Sequence, residues 1–160
     1  MTLKLRFTRV SPTRHRLEYR REDGTGEAIA METKSLLVHD LVHFAVESEA
    51  GLKGSLFGIL ERIGGYEELS IVGGQALGGE IAVTERVVGA LQGTLKSGEV
   101  EPEAFAERVR EFLELYDERS PRWLTPAFVL AVRERLHLLE GRWRATPFGQ
   151  TMELEFPAAR

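Results

Sequence analysis

The hydrophobic pattern of this chain changes period twice, and that change limits the folds open to it more than any other feature. Near the start, Leu3, Leu5 and Phe7 alternate with Lys4, Arg6 and Thr8, and Leu17 and Tyr19 alternate with Arg16, Glu18 and Arg20. Alternation of this kind puts apolar side chains on one face of a half-buried strand. Ser11-Pro12-Thr13 supplies a turn between the two segments, and Asp23-Gly24-Thr25-Gly26 leads to a third segment, 27–33, in which Ile29 and Met31 share a face. Together they predict a three-stranded antiparallel meander with an Arg-rich exposed face.

From Ser35 the period becomes helical. A first helix is expected over 35–50, closed by Gly51, a second over 54–63 and a third over 79–96. A fourth, 102–118, carries Phe105, Val109, Phe112, Leu113 and Tyr116 along one stripe. Thr125 and Pro126 are suited to cap and open a fifth, with Gly141 placed to end it. Beyond it, a Phe148-Gly149 hairpin loop would set Arg142 opposite Glu155, Trp143 opposite Leu154, Arg144 opposite Glu153 and Ala145 opposite Met152. The expected architecture is α+β, a single domain over 1–160. Its antiparallel sheet is built from the N-terminal meander and a C-terminal hairpin, and packs against about five central helices.

Composition narrows the chemistry. With 160 residues, of which 42% are apolar and 29% charged, the chain can bury a core without a disulfide or structural metal. The absence of cysteine excludes thiolate nucleophiles, iron–sulfur clusters and thiolate zinc sites, and it suits a reducing cytoplasm. The opening MTLKLRFTRV lacks the apolar run of a signal peptide, and no later stretch approaches the ~20 apolar residues of a membrane span. A net charge of −4 disfavours a generic nucleic-acid binder, although residues 1–21 hold seven basic residues against one acid. That basic segment reads either as a patch for an anionic partner or as a solvated sheet face paired with acids elsewhere.

The segment Leu37-Val38-His39-Asp40-Leu41-Val42-His43-Phe44-Ala45-Val46-Glu47 carries the strongest chemical signal. At ~100° per residue, His39, Asp40, His43 and Glu47 fall in one wedge of roughly 100° on a helix that is otherwise apolar all round. Two imidazoles one turn apart can aim ring nitrogens at one divalent ion, and a carboxylate can complete a three-ligand site with an open position. The expected ligands are His39, His43 and Glu47, with zinc first and manganese or iron as alternatives. Asp40 and Glu47 are the candidate catalytic carboxylates, Asp40 as a base or as a group orienting an imidazole. Because i and i+8 are ~12 Å apart along a helix, a ligand from elsewhere can replace Glu47. The competing reading is a buried polar network in which the histidines bond to backbone carbonyls, Glu47 or Asp40.

His39-Asp40-Leu41-Val42-His43 resembles the His-Asp-x-x-His zinc motif of the ubiquinone-biosynthesis scaffold family. The resemblance implies His39, Asp40 and His43 in a metal site that engages a polar head group. In that family a glutamate follows twelve residues after the second histidine, where this chain has Ser55. The wider stretch from Ser35 to Gly58 is also similar to small bacterial proteins of no assigned activity.

Other signals are weaker. Gly73 and Gly78 have the spacing of a phosphate loop, but Gly79 and Glu80 stand where that loop needs Lys and Ser or Thr. Gly54-Ser55-Leu56-Phe57-Gly58 offers small residues through which backbone can approach the histidine helix. His15 is expected on the inner sheet face, His137 in solvent, and Trp123 and Trp143 as packing anchors. Two functions remain open: a divalent-metal protein with hydrolase- or lyase-like chemistry on a small molecule, or a non-catalytic binding or regulatory module. In the module the histidines are structural and the Arg-rich strands engage a partner.

Overall fold

The computed structural model describes residues 1–71, 79–97, 100–116 and 119–158. Strands β1 (Leu3–Arg9), β2 (Arg14–Arg21) and β3 (Gly26–Glu32) form the meander. Helices α1 (Thr33–Ala50), α2 (Leu56–Leu60), α3 (Tyr66–Ile71), α4 (Gly79–Ser97), α5 (Pro102–Glu114) and α6 (Pro126–Ala145) follow. Strand β4 (Thr151–Phe156) closes an antiparallel sheet of order β3-β2-β1-β4. The class is α+β, as the pattern predicts. Residues 72–78, which carry most of the glycine-rich segment, lie outside the described residues.

The period-2 pattern sets which sheet face is buried. Leu3, Leu5, Phe7, His15, Leu17 and Tyr19 point inward, joined by Met152, Leu154 and Phe156 from β4. On the outer face the register sets Lys4 beside Glu155 and Arg6 beside Glu153. Glu18 lies within 3.5–3.8 Å of Arg6, Arg16 and Arg20, so acids from β2 and β4 partly neutralise the basic face.

The C-terminal hairpin is corrected. Arg142, Trp143, Arg144 and Ala145 are the last turn of α6, and β4 pairs with β1 alone among the described strands. Their alternation mimics a strand, but Leu136, Leu139 and Trp143 continue the α6 stripe at helical spacing and all three are buried. Gly141 sits inside the helix, whose end is at Thr146, and Arg142 donates to the Glu153 carbonyl at 2.7 Å, tying α6 to β4. The N-terminal expectation holds: the Thr125 hydroxyl accepts from Phe128 N–H, with Pro126 in the first turn.

Helix α1 runs through the middle of the molecule, which explains its apolar circumference. It packs against α2, α4, α6 and the sheet. Phe44 meets Phe57 of α2 and Phe156 of β4, with ring centroids 6.4 and 6.2 Å apart. The Glu32 carboxylate caps its start, and Gly51 ends it in the left-handed conformation, φ 66°. No described helix is long and apolar enough to cross a membrane.

Candidate metal centre

His39, Asp40, His43 and Glu47 do share one side of α1, but they do not converge on one point. The partner that meets the two imidazoles is Glu85, from the second turn of α4. One ligand atom each from His39, His43 and Glu85 lies within 4.8 Å of the others, so the group can hold a metal ion. His43 Nε2 is 2.9 Å from Glu85 Oε1, and His39 Nε2 is 3.9 Å from Oε2. The two rings stand edge to face with centroids 4.7 Å apart. His43 is fully buried, and the side chains of His39 and Glu85 are 28% and 18% exposed, so the cluster reaches solvent on the His39 side.

Each ring is held by its other nitrogen. His43 Nδ1 lies 3.0 Å from Glu47 Oε1, and a carboxylate accepts only, so Nδ1 carries the proton. His39 Nδ1 lies 3.3 Å from Gln92 Oε1, and the Gln92 amide nitrogen donates to the Ser35 carbonyl, which fixes the amide orientation. Both histidines therefore turn Nε2 toward Glu85. At His43 that atom makes a 2.9 Å contact with Glu85 Oε1. Imidazoles anchored through Nδ1 with Nε2 left over are the usual arrangement around a protein-bound metal.

Glu47 is the anchor of this arrangement. Its Oε2 accepts from the backbone N–H groups of Phe57 and Gly58, at 2.9 and 3.1 Å, and so caps the start of α2 where the buried Ser55 side chain does not. The small residues at 54–58 make the approach possible. A Cβ on Gly58 would lie 2.6 Å from Lys53 Cα, in the backbone, whereas the nearest atoms to one on Gly54 belong to the Glu80 side chain, its Oε1 first at 2.9 Å. Gly58→Ala is therefore expected to pull α2 off Glu47 and cost about 1–3 kcal/mol in urea unfolding, with Gly54→Ala costing less.

Burial acts on every charge here. It would lower the pKa of His43, but the Glu47 and Glu85 carboxylates beside its two nitrogens raise it to about 9. Burial raises the Glu47 carboxyl while His43 and the two backbone N–H groups oppose it, so Glu47 and His43 titrate as a coupled pair. Burial also works to raise Glu85, yet His43 and His39 hold it below the usual carboxylate range. Burial and the neighbouring His43 hold His39 below its ordinary value.

Asp40 faces another way. Tyr66 of α3 donates to its Oδ1 at 2.6 Å, while Oδ2 is buried with no partner among the described residues, and burial raises the carboxyl to about 7 despite that bond. His15 is fully buried, with Nδ1 3.0 Å from the Thr33 hydroxyl, and burial lowers it to about 4. His137 is exposed. Neither belongs to the cluster.

Glu85, Gln92 and Tyr66 were absent from the sequence reading. For Glu85 a signal exists: Ile81 and Val88, four residues before and three after, place it on the buried side of α4. An acid on an apolar helix face is the same anomaly that singled out α1. No protein-family model, curated protein or solved structure matches this chain.

Proposed function

We propose that this chain is a divalent-metal protein whose ligands are His39 Nε2, His43 Nε2 and the Glu85 carboxylate. The observation that carries the reading is the pair of anchored rings: Glu47 and Gln92 occupy the two Nδ1 atoms, and the Nε2 atoms meet at one carboxylate. Two imidazoles and a carboxylate suit zinc, and they also suit iron(II) or manganese. A bound ion would supply Lewis acidity, and the partly exposed His39 gives the site access to solvent. Glu47 acts through His43, whose ring it anchors, while Asp40 is fully buried against Tyr66 and does not face the ion. The reaction class this supports is hydrolysis or lysis of a small molecule, in a cytoplasm that suits a cysteine-free chain.

Elemental analysis of protein purified without a His-tag or chelator tests the reading. About one equivalent of metal is expected after soaking with zinc and dialysis. Glu85→Gln is expected to abolish stoichiometric binding, whereas Glu47→Gln should weaken it by roughly 10–100-fold. Less than about a tenth of an equivalent in the wild type, with zinc, manganese and iron(II) each tried, would overturn the proposal.

One observation favours a second reading. A His43 raised to about 9 between two carboxylates also describes a buried imidazolium that clamps α1 to α2 and α4 without metal. In that case the exposed arginines of β1 and β2 remain as the surface for a partner.

A further inference from the structure

Glu85 belongs to two features at once. Besides meeting the histidines, it lines a groove of about 420 Å³ between α4 and α5, with Arg86, Gly89, Ala90, Phe112 and Tyr116. That volume falls in the range of small-molecule sites, roughly 300–1,000 Å³.

The groove has its own origin in the sequence. The apolar stripe of α5 starts as core, with Phe105, Val109 and Leu113 buried, but Phe112 is 39% and Tyr116 53% exposed. The stripe is longer than the core it covers, so its last two aromatic rings, with centroids 5.1 Å apart, stand at the surface. The Arg86 guanidinium lies 4.1 Å from the centre of the Tyr116 ring and stacks on that wall of the groove. Across from them, Gly89 is exposed one turn beyond Glu85, and a Cβ built there would meet nothing within 4 Å among the described residues. Its backbone is not left-handed, and no close neighbour requires a glycine. A mid-helix glycine costs about 0.5–1 kcal/mol relative to alanine. Its one structural consequence here is an open floor beside Glu85.

We propose that this groove receives the ring of an aromatic molecule whose oxygen-donor head group reaches the ion held by His39, His43 and Glu85. The aromatic class follows from the lining: two exposed rings on one wall, a side-chain-free floor opposite, and a ligand carboxylate at the margin. An anionic or polarised oxygen head fits the ion. This inference rests on the metal reading, and its failure can be told apart from a failure of that reading.

Titration of the zinc-loaded full-length chain with acetohydroxamate and with benzohydroxamate is the test, because the two carry the same chelating head and differ in the ring. Benzohydroxamate is expected to bind at least tenfold more tightly. Gly89→Leu, which fills the floor with a good helix former, should bring benzohydroxamate to the level of acetohydroxamate and leave the latter unchanged. Phe112→Ala should reduce the same preference. Metal content and circular dichroism of both variants are expected to match the wild type.

Equal affinities on fully zinc-loaded wild type would overturn the groove and leave the metal centre standing. A ring preference insensitive to both substitutions would also overturn it, since the ring would then bind elsewhere. A chain that takes up no metal would remove both proposals.

Discussion

His43→Ala is expected to lower the stability of the metal-free protein by about 3–5 kcal/mol, because it strips a buried cation from between two carboxylates. Glu47 is fully buried and keeps only its two backbone donors, and Glu85 loses its 2.9 Å neighbour. For a domain of this length each kcal/mol is about 2–4 °C in Tm, so a fall of roughly 10 °C is expected by calorimetry. The sign of the pH dependence follows from the raised His43. Its folded pKa of about 9 exceeds its ordinary 6.5, so its contribution is complete below pH 6.5 and disappears as pH rises through 9. The penalty of the substitution should therefore shrink between pH 6 and pH 10. Zinc should act oppositely in the wild type, stabilising more at pH 8 than at pH 6, because the ion needs the Nε2 lone pairs that protons occupy. A stability loss in the variant with no zinc effect on the wild type at either pH would favour the clamp reading.

Asp40→Asn is expected to make the metal-free protein more stable. Burial lifts the folded pKa of Asp40 from 3.8 to about 7, so the folded state keeps a proton that the unfolded chain releases between those values. Stability is thus highest below pH 4, falls as pH rises to 7, and carries the full penalty above it. A shift of this size corresponds to about 4 kcal/mol at roughly 1.4 kcal/mol per unit. Asparagine removes the charge and can still accept from Tyr66, but its NH2 group takes the place of the unpartnered Oδ2, which costs about 1–3 kcal/mol. A net gain of about 1–3 kcal/mol at pH 8 is the expected balance, read by urea unfolding; below pH 4 only the cost of the NH2 group remains, and the variant should be less stable than the wild type by about 1–3 kcal/mol. A loss of stability at pH 8 would mean that a further donor holds Asp40 as a carboxylate. Groups that raise stability when neutralised are typical of sites where function, rather than folding, requires the charge.

How far the pattern of residues reached can be seen at particular places. The alternation at Leu3-Phe7 and Leu17-Tyr19 located two strands and their buried face, since a half-covered strand has no other way to sort its side chains. The four-residue run Arg142-Trp143-Arg144-Ala145 misled because so short a segment satisfies period 2 and period 3.6 equally, and the buried Trp143 decided for the helix. Phe112 and Tyr116 belonged to the right stripe, but only packing shows that the core ends before them.

The candidate centre divides the same way. The wedge of His39, Asp40, His43 and Glu47 on an apolar helix was decided by residue identity and helical geometry alone, as was the need for polar partners to meet it. Which carboxylate meets which nitrogen was decided by the packing of α1 against α2 and α4. Glu47 lies four residues from His43 and reaches Nδ1, the near side of the ring, while Nε2 points away from α1 and can be met only from another helix. Glu85, 42 residues later in the chain, arrives there because the apolar faces of α1 and α4 are buried against each other, a contact that no local spacing encodes.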